Sequence, residues 1–294
     1  MNKPYIIITI GPSGSGKTLL AQKTIEYLKL LDRDMSTSFT KILIDELVEN
    51  NIAYKEKISS IVKECVDEYR QVNKSSKIKE CFTCSKSNCY YLRPDVFEKL
   101  SKSYWYVREK PYCNESSHLS CAMLNDELLK QAVEKNENIV FEITGANTMP
   151  TWILSDPFIS SEYNVIFSYS LLNIDELIMR NIIRFEKSLQ NFAEDNANPA
   201  PRLPNIQYNH LEKHVYAVRT SLLKLYNKCI LDYNIYTCNK HKINKLLIFD
   251  NNDSDIKLIF DSDINKYSLV EVAALVNRLL RLENKLIETN LLDL

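Results

Sequence analysis

Glycine is scarce in this chain, and its placement limits what the chain can fold into. There are 4 glycines in 294 residues, where average usage near 7% would give about 20. Three of them, Gly11, Gly14 and Gly16, fall in one short stretch. A chain that avoids glycine elsewhere and clusters it here needs a backbone conformation that side chains would block. The cluster follows an unbroken apolar run, Tyr5 to Ile10, which suits a strand buried on both faces of a parallel sheet. Leu20, Ala21, Thr24, Ile25 and Leu28 then recur at helical spacing.

Between strand and helix lies Gly11-Pro12-Ser13-Gly14-Ser15-Gly16-Lys17-Thr18. It matches the phosphate-loop pattern G-x-x-x-x-G-K-[ST] in the strand–loop–helix setting that the pattern requires. Glycines let successive N–H groups turn inward around phosphate oxygens, and the helix N-terminus adds positive potential. Lys17 is placed to reach the β- and γ-phosphates of ATP or GTP, and the Thr18 hydroxyl to ligate Mg²⁺.

Composition narrows the remaining classes. The formal charge is −1, with 45% hydrophobic and 26% charged residues, so no global field draws the chain to nucleic acid or an anionic membrane. No apolar run approaches the roughly 18 residues of a membrane span, and the N-terminus does not read as a signal peptide. The eight cysteines are therefore expected as reduced thiols in a cytoplasmic compartment. The Asn-, Lys- and Ile-rich composition suggests an AT-rich genome; for a viral protein the compartment would be the host cytoplasm.

Along the chain, strands are expected at Lys41–Asp45, Asn138–Thr144, Tyr163–Leu172, Lys245–Asp250 and Asp255–Phe260, with helices near 55–72, 124–133, 174–189 and 210–231. Ile174, Ile178, Ile182, Phe185 and Leu189 are expected to form the buried stripe of the 174–189 helix. Alternating strands and helices predict a three-layer α/β/α fold of the P-loop NTPase type with a mostly parallel sheet. The expected organisation is one domain over 1–294. It carries a Cys-, aromatic- and basic-rich helical or irregular insertion at 73–117, a lid at 185–209 and a C-terminal helix at 268–289.

Ligands of such sheets bind outside the carboxyl ends of the strands, where Gly11, Asp45, Glu142 and Thr144 are expected. Asp45 is the candidate base or orienting carboxylate for a hydroxyl acceptor, with a helix N-cap as the plainer alternative. Glu142 and Thr144 are candidates for binding the acceptor, and Glu142 also for holding Mg²⁺ through water. Asp250 ends another apolar run and is given no role. Arg180 and Arg184 lie one helical turn apart, and Arg202 lies in the following proline-rich segment. These arginines suit a lid that neutralises charge during phosphoryl transfer, or a solvated helix face. Cys81, Cys84 and Cys89, with Cys113 downstream, have an opening pair at zinc-ligand spacing. The candidate structural Zn²⁺ site stands against unrelated reduced thiols. Basic and aromatic residues within 82–112, among them Tyr104, Trp105, Tyr106 and Arg108, could contact an oligonucleotide or simply pack on a core. His210, His214 and His241 are read as ordinary helix or loop histidines.

The phosphate loop resembles that of small-molecule kinases, and further features resemble the zeta-toxin group among them. Ile139-Val-Phe-Glu142-Ile-Thr-Gly145 is similar to that group's apolar strand ending in Glu, Thr and Gly. Pro150 and then Tyr163-Asn-Val resemble its next unit. Asp175-Glu-Leu-x-x-x-Arg180-x-x-x-Arg184 resembles its lid-entry helix, and Arg202-Leu-Pro204 its later lid arginine. The resemblance touches residues 5–50 and 138–230 and leaves 73–117 uncovered. It implies a kinase moving the γ-phosphate of ATP or GTP to a hydroxyl, with Asp45 as base and Arg184 and Arg202 as lid residues. The group's own acceptor, a UDP-linked amino sugar, is not carried over, because no acceptor-binding residues are matched. The expected acceptor is a small molecule such as a nucleotide sugar or nucleoside. A 5′-hydroxyl polynucleotide kinase and a nucleotide-gated interaction protein without kinase activity are the competing readings.

Overall fold

The computed structural model describes residues 3–72, 94–111, 118–145, 159, 162–203, 208–227, 245–253 and 255–282. The chain divides into two compact units: Met1–Ile42, Gln131–Ile178 and Gln207–Leu294 make one, and Leu43–Lys130 with Met179–Ile206 make the other.

The first unit is built on a six-stranded sheet. Its strands are β1 (Tyr5–Ile10), β2 (Thr40–Ile42), β3 (Ile139–Ile143), β4 (Asn164–Leu171), β5 (Lys245–Asp250) and β6 (Lys257–Asp261). Their spatial order is β2-β3-β1-β4-β5-β6. All neighbours run parallel except β6, which pairs antiparallel with β5. The apolar run Tyr5–Ile10 becomes an interior strand between β3 and β4, buried from Ile6 onward. Period-two alternation then divides its side chains between the faces. Ile7 joins Val140, Ile166, Leu247 and Phe249 under Leu20, Ala21 and Leu28 of α1 (Lys17–Leu31). A buried hydroxyl pair, Thr24 and Ser168 at 2.8 Å, ties α1 to β4.

The other face carries the late helices α7 (Tyr208–Tyr226) and α8 (Leu269–Leu280), which pack on each other. Arg219 Nε donates to Asn277 Oδ1 between them at 2.5 Å. A capping box, Ser268 with Glu271, starts α8. With α1 on one side and α7 and α8 on the other, the unit is the expected three-layer α/β/α fold with a mostly parallel sheet. The C-terminal helix ends at Leu280, and residues 283–294 lie outside the described ones.

The second unit is helical: α2 (Ile44–Asn50), α3 (Ile52–Val72), α4 (Pro94–Glu109), the first part of α5 (Cys121–Glu134), and α6 (Ile174–Glu194) from Met179 onward. Val48, Tyr54, Ile58, Leu100, Tyr104, Val107, Cys121, Phe185, Leu189 and Phe192 form its core. Within the segment expected to be helical or irregular, residues 94–109 are a regular helix.

Two local expectations are corrected. The second strand stops at Ile42, and helix α2 begins at Ile44 with Asp45 and Glu46 in its first turn. Carboxylates there meet the positive end of the helix dipole, so they open a helix rather than close a strand. Along α6 the buried stripe is Ile174, Leu177, Asn181, Phe185, Leu189 and Phe192, three of which (Ile174, Phe185, Leu189) are as expected. Ile178 and Ile182 are only half-buried, because the amide of Asn181, a position that hydropathy assigns outward, is needed inside.

A buried ion pair closes the far edge of the sheet. Lys245 Nζ lies 3.0 Å from Asp261 Oδ2 and 2.8 Å from Asp263 Oδ2, and Tyr27 donates to Asp261 at 2.5 Å. Burial works against the ammonium, but Asp263 and Asp261 outweigh it and hold its pKa above 10.5. Its contribution to stability is therefore complete below that pH and is lost as pH climbs through the raised value. Lys245→Met should lower unfolding free energy at pH 7 by about 3 kcal/mol in urea titrations. Above pH 10.5 its stability should fall less steeply than that of the unaltered chain.

Candidate functional site

The phosphate loop sits at the carboxyl end of β1. Ser15 N–H donates to the Pro12 carbonyl at 3.1 Å, closing the turn, and Leu20 N–H to Gly16 O at 2.9 Å is the first bond of α1. Gly16, with φ of 75°, is the left-handed residue preceding the helix. At Gly11 the constraint is space: an added Cβ would lie 2.3 Å from Ser15 Oγ and 3.0 Å from the Ser170 carbonyl.

Lys17 is buried, and its ammonium donates back to the carbonyls of Gly11 (3.1 Å) and Pro12 (3.4 Å). That holds the cation over the loop it belongs to. Thr18 Oγ1 donates to Glu142 Oε1 at 3.3 Å. Glu142 lies on β3 in register with Thr9, so sheet pairing fixes the carboxylate beside the loop. A hydroxyl and a carboxylate converging at the head of a phosphate loop are hard oxygen donors of the kind Mg²⁺ prefers. Thr144 follows β3 and is exposed.

Two residues that sequence reasoning did not single out brace the loop from below. Ser170 Oγ donates to the Ser15 carbonyl at 2.6 Å, and Asn251 Nδ2 donates to the same oxygen at 2.7 Å. Both are buried. Their positions at the ends of β4 and β5 were the available signal. Asp250, left without a role, accepts from Asn252 N–H (3.0 Å) and Nδ2 (2.8 Å) and so shapes the turn that carries Asn251.

The second unit holds a compact charged cluster around Arg202. Its Nη1 lies 2.7 Å from Asp45 Oδ2, and its Nε donates to Glu49 Oε1. Asp45 and Glu49 are four residues apart on α2, hence on one face. The Tyr104 hydroxyl donates to Asp45 Oδ1 and accepts from Arg108 Nη1 at 3.4 Å. Main-chain bonds hold the arginine's segment in place. Ala200 N–H donates to Glu49 O at 2.8 Å, Tyr54 OH to Pro201 O at 2.9 Å, and Lys55 Nζ to Ala197 O at 2.9 Å. Part of the expected lid, 195–203, is thereby docked on α2 and α3.

Burial disfavours the Arg202 charge, but Asp45 and Glu49 outweigh it and push its pKa above the ordinary value. For Glu49 burial is the larger effect and moves its carboxyl upward despite Arg202. Arg184 donates Nη2 to Asn181 Oδ1 at 3.1 Å. Burial and the nearby Arg202 push its guanidinium pKa down, against Glu49 and Asp45. Arg180 lies one turn earlier, half-buried.

The structure thus brings Gly11–Thr18, Glu142 and Thr144 to one end of the first unit's sheet, and gathers Asp45, Arg184 and Arg202 in the second. Asp45 is not at a strand end. Glu49 and Tyr104 join its cluster; the i, i+4 spacing from Asp45 could have found the first, and nothing local marks the second. Cys81, Cys84, Cys89 and Cys113 lie outside the described residues, as do Pro150 and Pro204. Among the described residues no group of three or more His, Cys, Asp or Glu side chains could hold a metal ion. No described helix is long and apolar enough to cross a membrane.

No family model matches the chain, and no curated protein sequence matches it. A solved chain from the PezAT chromosomal toxin–antitoxin system of the human pathogen Streptococcus pneumoniae is similar in structure, with a TM-score of 0.52 at 15% identity. The match covers 100% of this chain and 84% of that one. The likeness is one of fold. It extends over the whole length of this chain as an α/β architecture.

Removing Arg202 would leave two partly shielded carboxylates, 23% and 17% exposed, facing each other without their shared cation. Arg202→Ala should destabilise the second unit by about 3 kcal/mol, read as a lowered thermal midpoint. Arg202→Lys should recover only part, because an ammonium cannot bond both carboxylates in the fork geometry.

Proposed function

We propose that this chain is a nucleotide-dependent phosphotransferase that moves the γ-phosphate of ATP or GTP to a hydroxyl of a small acceptor. The observation that carries the reading is the phosphate loop, with Lys17 buried over it and the Thr18 hydroxyl bonded to Glu142. The amides of residues 13–18 would surround the phosphates, and Lys17 would neutralise charge on the β- and γ-groups. Thr18 and Glu142 would hold Mg²⁺, which would supply further charge neutralisation to the phosphates.

Asp45 is the group assigned to the acceptor. Its Oδ1 holds the Tyr104 phenol, a neutral contact that an incoming hydroxyl can replace, while Oδ2 keeps the Arg202 guanidinium. A carboxylate that accepts the hydroxyl's hydrogen bond orients the nucleophile and receives its proton as the new P–O bond forms. Arg184 and Arg202 would offset the charge that spreads over the transferring group, with Arg180 at the entry to the same helix. The structural likeness to a toxin–antitoxin chain agrees with a kinase of the zeta-toxin kind. The acceptor class that best suits the reading is a nucleoside or nucleotide sugar.

A polynucleotide acceptor is the second reading, favoured by one feature. Trp105 and Tyr106 are about half-exposed, with Arg108 over the indole at 4.9 Å and Lys57 over the phenol ring at 3.9 Å. Bases can stack on such rings, and their phosphates can meet the cations.

Labelled ATP or GTP offered with pools of nucleosides, sugar nucleotides and oligonucleotides identifies the acceptor by which pool takes the label. Asp45→Asn should cut turnover by at least about 100-fold while Mg²⁺–nucleotide affinity stays within a few-fold. Unchanged turnover would remove Asp45 as the base. Nucleotide binding without label transfer to any pool would favour the nucleotide-gated interaction protein.

A further inference from the structure

The peptide between Ser15 and Gly16 is held more firmly than a loop peptide requires. Its carbonyl accepts from two buried donors, Ser170 Oγ on β4 at 2.6 Å and Asn251 Nδ2, just past the end of β5, at 2.7 Å. A further contact, Asn251 Nδ2 to Ser170 Oγ at 3.4 Å, links the donors. Asn251 is itself fixed from behind. Its own N–H donates to the Leu171 carbonyl at 3.1 Å. The neighbouring Asn252 bonds Asp250, Asn173 and the Leu279 carbonyl of α8. Burying an amide and a hydroxyl in this way costs stability unless the bonds they make are needed.

A trans peptide points its carbonyl and its N–H in opposite directions. Pinning the Ser15 carbonyl toward β4 and β5 therefore fixes the Gly16 N–H away from them. Asn251 also fills the space above Gly16, where an added Cβ would lie 2.8 Å from its Nδ2. We infer that Ser170 and Asn251 are positioning residues for phosphate: by clamping the Ser15 carbonyl they hold the Gly16 amide ready for a polyphosphate anion. This rests on the nucleotide reading above and adds to it the parts that set the strength of the grip. Neither residue touches the ligand; each acts through the main chain. Pre-orienting the donor spares the ligand the cost of ordering it on binding.

The test compares the full-length chain with Asn251→Ala, Ser170→Ala and the double variant. Calorimetry would measure binding of ATP with Mg²⁺ and of inorganic tripolyphosphate, which offers the phosphates alone. Losing one buried donor should weaken both ligands about tenfold and by the same factor, and losing both donors should weaken them further. Melting of the ligand-free proteins separates this from a merely structural role. A lowered midpoint with unchanged affinity for both ligands would overturn the inference. So would a loss confined to ATP, which would place the effect at the nucleoside. If Asn251→Ala does not fold, Ser170→Ala carries the same comparison. An unaltered chain that binds neither ligand would remove the nucleotide reading and this inference together; one that binds both, with variants that bind equally well, would remove the inference alone.

Discussion

Gly11 stands where β1 leaves the sheet, and the space that a side chain would occupy there is filled by the Ser15 hydroxyl and the Ser170 carbonyl. This close approach lets the loop turn back over the end of its own strand instead of running away from the sheet. Because it does, the Gly11 and Pro12 carbonyls can receive the Lys17 ammonium. The start of α1 then comes alongside Glu142 of β3, where Thr18 makes its bond. In a chain with four glycines, this one is held by close approach and not by backbone angle.

The second unit solves a different problem with one cation. Asp45 and Glu49 project from successive turns of a short helix and would repel each other at close range. Arg202 serves both, and the extended segment around it is fixed by a main-chain bond to Glu49 of α2 and by the Tyr54 hydroxyl of α3. Burial that would ordinarily discourage a guanidinium is outweighed by the two carboxylates. Tyr104 and Arg108 of α4 continue the network on its other side. Polar groups are here the partner that the apolar core of Tyr54, Ile58 and Phe185 leaves at its margin.

The sheet and its loop were largely legible in the primary structure, because buried parallel strands are continuous apolar runs and the phosphate loop is a spaced pattern. What was hidden depended on contacts between distant segments. Asp45 read as the end of a strand because the apolar run Ile42–Ile44 leads straight into it; only the carboxylate pair at 45 and 46 marks the helix start. On α6 hydropathy favoured Ile178 and Ile182 for the interior, whereas Asn181 is buried to meet Arg184. For Ser170 and Asn251 the one signal was their place at the ends of two apolar runs. Their role exists only because β4 and β5 lie side by side beneath the loop.

The order in which those parts are made has a consequence for synthesis. Segments leave the ribosome from the amino end, so Gly11–Thr18 emerges when the turn bearing Asn251 has yet to be translated. Until β5 has docked against β4, Ser15 lacks one of its two supports. The loop peptide therefore takes its final support only after β5 has been made and placed. That support arrives late, after the strands β1 to β4 and the helices between them have all been made.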